Sequence, residues 1–441
     1  MTMDRSARVD RALPALFDQL AEARTPDYLE AAIERASSRP QRPAWTFAGR
    51  WLPVELTTTR VPATRMPMRQ LGVLALIAIL VAAALAVYVG SHQQKLPAPF
   101  GPAENGSVVY ADGGDIYAAD PESGVTKPIV SGGGFALRPR FSHDGTRIAF
   151  ERRASPSDRL GNVYVADPDG SDLTRLTPQS VLITASYLGE SWEPYEFSPD
   201  GRTLLIAASG GMLIAQTDGS GVKSITLNGL PRSLNVTEPS FSPPDGHEIL
   251  FVGKEPAAWG AGLYVLDRAT GDVRTLVEPR SGTDLAGPEW SPDGSRIAYW
   301  TWTDDPSTLT PRTHVVLADG TDDRELPMPP DVPWNAGSAW SNDGSRLLII
   351  QGHATDYTDS RMAVAPADGS AVATEIDIDG PISSECCLTW EWAPDDSWII
   401  IRPVDSQGAG GQQIFVDPVA GTSRVTSWNT TGEPTVQRVA R

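Results

Sequence analysis

A five-residue signature recurs six times along the C-terminal three quarters of this 441-residue chain. The copies are Phe141-Ser142-His143-Asp144-Gly145, Phe197-Ser198-Pro199-Asp200-Gly201, Phe241-Ser242-Pro243-Pro244-Asp245-Gly246, Trp290-Ser291-Pro292-Asp293-Gly294, Trp340-Ser341-Asn342-Asp343-Gly344 and Trp392-Ala393-Pro394-Asp395-Asp396. Their aromatic residues lie 56, 44, 49, 50 and 52 positions apart. A chain that repeats one local unit at such an interval stacks copies of one supersecondary motif.

Each unit has a legible physical logic. The aromatic ends a short strand and packs between neighbouring units. Ser-Pro-Asp-Gly is a tight hairpin turn: Pro presets φ, Asp bonds back to the backbone and Gly takes the left-handed position. The strand that follows is apolar and β-branched, as in Arg147-Ile148-Ala149-Phe150 and Arg346-Leu347-Leu348-Ile349-Ile350. A third strand such as Val163-Tyr164-Val165-Ala166 leads through an Asp-Gly turn (Asp169-Gly170, Asp218-Gly219, Asp368-Gly369) into a fourth. β units at this period are blades of an all-β propeller. The last copy departs from the pattern, with Ala393 for Ser and Asp396 for Gly, which puts its turn type in question.

The chain ends complete the count. Gly106 to Tyr110 reads as the second strand of a blade that lacks its first, with Asp115 to Ala118 and Val125 to Ile129 as its third and fourth. Glu433-Pro434-Thr435-Val436 echoes Glu238-Pro239-Ser240-Phe241, a first strand with nothing after it. Seven blades are expected over residues 105–441, the seventh shared between the termini, with six as the runner-up. Closing the ring this way removes free sheet edges.

The repeat resembles the WD40-like PD40 repeat of bacterial TolB-type propellers, over residues ~105–438, and its six recurrences make the resemblance specific. It implies a propeller fold and leaves an activity unassigned.

Leu71 to Gly90 is a run of twenty residues without a charge. At ~1.5 Å per residue it spans the ~30 Å hydrocarbon layer of a membrane. Arg60, Arg65 and Arg69 precede it and Lys95 follows, so a transmembrane helix over 71–90 places residues 1–70 in the cytoplasm and the propeller outside. The rival is a cleaved signal sequence, if translation began at Met66 or Met68. Residues 91–104 are then a linker and 56–70 a basic juxtamembrane linker.

Residues 1–55 read as a short helical cytoplasmic segment. Val9, Leu13, Leu16, Phe17 and Leu20 share one helix face, and Thr25-Pro26-Asp27 starts a second helix. This organisation resembles membrane-bound anti-sigma factors, although residues 1–70 contain no His and no Cys for the zinc motif that many of them carry. The resemblance implies a cytosolic protein partner for residues 1–55.

Charge divides the chain. Of 36 Lys/Arg and 55 Asp/Glu, 11 and 8 fall in residues 1–70, which leaves 25 against 47, or net −22, in the remainder. An acidic domain repels a phosphate backbone, which argues against nucleic acid. Adjacent Cys386 and Cys387 offer no disulfide framework and read as small buried residues. The five histidines share no metal-ligand spacing. His143 and His247 fall in repeat turns, where exposure is the default. The run Asp167 to Asp172 lacks the late Glu of a calcium loop. No Gly-x-Ser-x-Gly elbow, phosphate loop or dinucleotide fingerprint occurs, so no catalytic, cofactor or metal residue is assigned.

Binding on a rigid scaffold falls to its loops. The stretch Tyr187 to Tyr195 (with Glu190, Trp192 and Glu193), Trp259, the stretch Trp300 to Asp305 (with Trp302), Trp334 and Tyr357 are the candidates, suited to sugars or basic peptides. The competing reading has these aromatics pack on neighbouring blades. Three functions stay open: a non-enzymatic extracytoplasmic scaffold that binds a protein partner or ligand outside the membrane, a transmembrane regulator, and a propeller hydrolase or lyase.

Overall fold

The computed structural model describes residues 96–441, apart from 179–180, 183–193, 209–210, 232, 257–259, 304–309, 354–358, 377–388, 403–410 and 431–432. The expected cytoplasmic segment, juxtamembrane linker and membrane span all lie outside the described residues, as do Cys386 and Cys387. Among the described residues no helix is long and apolar enough to cross a membrane.

The described chain forms seven antiparallel sheets of four strands, the second carrying one extra short strand (Val181–Leu182). Six sheets are consecutive in sequence. Their innermost strands are Phe135–Phe141, Tyr195–Phe197, Asn235–Phe241, Thr283–Trp290, Trp334–Trp340 and Thr389–Trp392. The remaining sheet is built from both ends. Glu104–Asp112, Asp115–Ala119 and Thr126–Val130 supply three strands, and Thr435–Val439 supplies the fourth. The pairing register runs Val108 to Val436 and Val109 to Thr435. The expected seventh blade is thus present, split between the termini.

Ring closure is also visible in the core. Seven apolar clusters lie between successive blades. The closing cluster joins Val108, Tyr110 and Val436 to Ile400, Phe415 and Trp428. With seven interfaces for seven blades, each blade packs apolar side chains of the described residues against both neighbours.

The signature residues act as the sequence implies. Phe197, Phe241, Trp290, Trp340 and Trp392 are buried, while Phe141 is half-buried. The indole N–H of Trp340 donates to the Glu289 carbonyl of the preceding blade at 3.0 Å, and that of Trp392 to Ala339 at 3.2 Å. Within each turn Ser Oγ donates to Asp Oδ1, at 2.6 Å for Ser142–Asp144, Ser198–Asp200 and Ser291–Asp293 and 2.7 Å for Ser341–Asp343. The Gly N–H of Gly145, Gly201, Gly246, Gly294 and Gly344 returns to the Ser carbonyl. All six Asp also accept the N–H two residues on, which for Asp245 and Asp395 comes from His247 and Ser397.

The divergent last copy makes the same turn. Asp396 N–H donates to the Ala393 carbonyl at 2.8 Å, and Asp396 itself adopts the left-handed φ of 63°. Asp, like Asn, tolerates that region better than most side chains do.

Because strands alternate in direction, the Ser-x-Asp-Gly turns and the outer Asp-Gly turns emerge on one end of the ring, the turn face. Connections between blades and between second and third strands emerge on the other, the loop face.

Candidate functional site

The seven innermost strands enclose a central cavity of 630 Å³. Within a strand, successive side chains point to opposite faces. When the aromatic anchor turns between blades, its predecessor is therefore directed elsewhere. Those predecessors are Arg140, Glu196, Ser240, Glu289, Ala339 and Glu391, and all six line the cavity.

The cavity lining carries Glu196, Glu238, Glu289, Glu391 and Glu433 against Arg140 and Arg438. Several of these groups tie one blade to the next. Glu196 accepts the Phe241 N–H at 2.7 Å, Glu238 the Gly287 N–H at 2.8 Å and Glu391 the Val436 N–H at 2.9 Å. Arg140 pairs with Glu433 at 2.8 Å and Glu391 at 3.5 Å. A carboxylate accepting a backbone N–H in a partly dry site is a charge-assisted bond, stronger than a neutral one.

Bulges in the innermost strands prepare these bonds. Register shifts occur between Leu137 and Arg140, Thr237 and Ser240, Ala286 and Glu289, and Ala336 and Ala339. Each bulge places one residue at positive φ: Arg138 at 51°, Glu238 at 54°, Gly287 at 60° and Gly337 at 103°. The next blade takes up the displaced backbone, with Tyr195 Oη donating to the Arg138 carbonyl and Ser338 Oγ to that of Gly287. Burial pushes the Tyr195 hydroxyl well above its usual range, so it stays a donor.

The segment before the first strand reaches the same cavity from the turn face. Pro99, Phe100 and Gly101 line it. Phe100 packs on His143 with ring centroids 4.7 Å apart. Arg438, in the closing strand, donates to the carbonyls of Ala98 and Gly101 and to Asn342 Oδ1, the last at 2.6 Å. Burial pushes the Arg438 pKa down to about 10, opposed by the charges of Asp396 and Glu391, so it remains a cation at neutral pH. Ala103 N–H donates to Pro394 at 2.8 Å.

The sequence-derived candidates distribute differently. Trp302 is half-buried near the loop face, 5.0 Å from Trp300, which lines the cavity. Trp334 is buried at 3% exposure and its indole fills the space beside Gly352, so it packs within its blade rather than facing solvent. Tyr195 is also fully buried. Glu190, Trp192, Glu193, Trp259 and Tyr357 lie outside the described residues. His247 is exposed, as its turn position implies. His143 is not: it is half-buried at the cavity mouth, because Phe100 covers it. Asp167 and Asp172 pair with Arg147 at 3.1 and 2.8 Å, which gives that turn an internal cation. Among the described residues no three His, Cys, Asp or Glu side chains are placed to hold a metal ion.

The cavity glutamates were missed in the sequence, yet a signal existed. Four of the six anchors follow a charged residue directly, an unusual neighbour for a buried aromatic.

The described residues thus form a seven-bladed β-propeller. No protein-family profile and no curated protein sequence matches it. Among solved structures it is similar to an oligogalacturonate lyase in complex with manganese, with TM-score 0.53 and 15% identity over 74% of this chain and 85% of the other. An oligogalacturonate lyase from Vibrio parahaemolyticus gives 0.53 and 13%, over 73% and 86%. A prolyl endopeptidase gives 0.52 and 16%, over 85% of this chain and 56% of the other. TolB from Acinetobacter baumannii aligns over 75% and 82% at 15% identity, with TM-score 0.44. At such identities the likeness is one of fold, which by itself assigns no activity.

Proposed function

We propose that this protein is a single-pass membrane protein that displays a non-enzymatic propeller outside the membrane to bind a protein partner or ligand. The observation that carries this reading is the use made of the cavity carboxylates. Glu196, Glu238 and Glu391 each hold a backbone N–H of the neighbouring blade, so they serve ring integrity. Residues committed in this way make a rigid scaffold, and binding falls to the loop face and the accessible part of the cavity. In this reading the span is residues 71–90, with the N-terminus cytoplasmic. The test is crosslinking of the full chain in intact membranes, with partner identification on both sides. An extracytoplasmic partner whose capture drops when Trp192 and Tyr357 are changed to Ala supports the reading. Capture of none overturns it.

A second reading is a transmembrane regulator whose residues 1–55 engage a cytosolic factor. It is favoured by the path of residues 98–103: the segment following the proposed span contributes Phe100 to the cavity wall, so an occupant of the cavity would touch it. Pull-down with residues 1–65 tests it, and recovery of no specific cytosolic protein removes it.

A further inference from the structure

Residues 98–101 reach the mouth of the central cavity without belonging to any of the sheets. They are held there by side chains rather than by a backbone ladder. Phe100 rests on His143, with ring centroids 4.7 Å apart. The Arg438 guanidinium, from the closing strand, donates to the carbonyls of Ala98 at 3.3 Å and of Gly101. A further bond of that guanidinium goes to Asn342 Oδ1 at 2.6 Å, in the turn of another blade. These bonds all go to neutral oxygens, although Asp396 and Glu391 bear on the charge.

Two observations separate this segment from the ring. The blades close without it, through the pairing of Thr435–Val439 with Glu104–Asp112 and the cluster around Tyr110 and Trp428. A fixed point follows it: Ala103 is 2% exposed and its N–H donates to the Pro394 carbonyl. Just before that point Gly101 lies at φ 83°, with nothing within 4 Å of the position a Cβ would take. The curl into the cavity therefore rests on a backbone conformation that any side chain disfavours, and on no close packing at that residue. Segments without a backbone ladder are the ones that open locally while the rest of a fold persists.

We infer that residues 98–101 are a strap across the turn-face mouth of the cavity, latched by Arg438 and seated by Phe100, which opens about Gly101 while the ring stays closed. With the strap seated, the loop face is the entrance to the cavity. Release opens a second entrance at the turn face. Arg438 suits such a latch. Its guanidinium presents several donors in one fixed fork, so a single side chain holds two carbonyls of the strap. Bonds to carbonyls lack the attraction between opposite charges that an ion pair adds, so the latch holds without being permanent. The inference goes beyond both functional readings above, since it concerns access to the cavity and not what enters it.

The experiment measures thiol labelling of the full chain in detergent by a bulky maleimide, with Cys386 and Cys387 replaced by Ser. Pro99→Cys reports the strap and Ala339→Cys the cavity, since both positions line it. Leu96→Cys, at a site 54% exposed, is the open reference. The thiol at position 99 should react at least about tenfold more slowly than the one at 96, because it waits for local opening. Gly101→Ala strains the left-handed φ without touching a neighbour, and should speed labelling at 99 about tenfold. Arg438→Met should act in the same direction. Because Arg438 also serves ring closure, Gly101→Ala carries the test if Arg438→Met does not fold. Labelling at 339 should rise with Gly101→Ala, while the urea midpoint stays unchanged. A thiol at 99 as reactive as that at 96, or unmoved by Gly101→Ala, overturns the strap. Labelling at 339 that stays constant while labelling at 99 rises overturns closure of the mouth. A urea midpoint that falls with Gly101→Ala overturns local opening.

Discussion

Asp396 shows how a side chain that looks misplaced in sequence is selected by its neighbour. It sits at a left-handed φ that Gly occupies in the other copies. Its carboxylate accepts the backbone N–H groups of Asn342 at 2.7 Å and Asp343 at 2.9 Å, both in the adjacent blade. Relief of left-handed strain is worth ~1–2 kcal/mol. Each bond to a charged acceptor contributes ~1.5–3 kcal/mol, so the two together outweigh the strain. Asp396→Gly should therefore destabilise the protein, by about 2 kcal/mol in urea unfolding, although it restores the repeat consensus. Asp396→Asn, which keeps one acceptor, should fall between. Glu238 makes the same point: Glu238→Ala leaves the buried Gly287 N–H unpaired and should cost about 1–3 kcal/mol, while Glu238→Gln retains an acceptor and should cost less than about 1.

At the scale of elements, the hairpin turn is a hydrogen-bonding device that depends on an ionised Asp. In the outer turns, hydrogen bonds from the side chain and then the backbone N–H of the residue two positions on hold the carboxyls of Asp169, Asp218, Asp319 and Asp368 below their usual range. Asp343 in an inner turn is also lowered: burial raises it, but bonds from Ser341 and Ser345 prevail. A depressed folded pKa means the unfolded chain binds protons more readily. The stabilisation is then complete above the ordinary value of 3.8 and is lost as pH falls through the lower folded values. Stability measured by urea midpoint should be flat above about pH 5 and fall steeply below about pH 4. A midpoint indifferent to pH down to 3 would contradict this role for the turns. The inner strand is a second device, since its bulge re-aims the residue before the anchor and opens backbone groups that the next blade satisfies.

The whole molecule is held by closure. Thr435–Val439 is a short strand, yet it completes a sheet, an apolar cluster and the contacts of Arg438 with Asn342 and the 98–101 segment. Removal of residues 434–441 exposes the edge of Glu104–Asp112 and opens the ring between the last blade and the first. The unfolding midpoint should drop by about 10 °C or more, since each ~1 kcal/mol shifts a domain of this size by a few degrees. Thermal unfolding followed by circular dichroism checks it, and an unchanged midpoint would show that closure is not the principal restraint. Arg140 joins Glu433 across 293 positions of sequence, so its substitution by Met should weaken the same closure, by less than the truncation does.

Sequence by itself determined what is local or periodic. Turns, strands and anchors recur because each blade needs the same few residues at the same offsets, and the incomplete units at the two ends announced a shared blade. Trp334 and Tyr195 are buried and pack, as the competing reading has it; aromatic residues near loops serve packing and recognition equally well, and only their burial separates the two. The cavity belongs to the tertiary structure. Its walls come one residue or two at a time from strands about 50 positions apart, and charges so dispersed acquire a common field only when the ring closes. The same tertiary arrangement brings Phe100 onto His143.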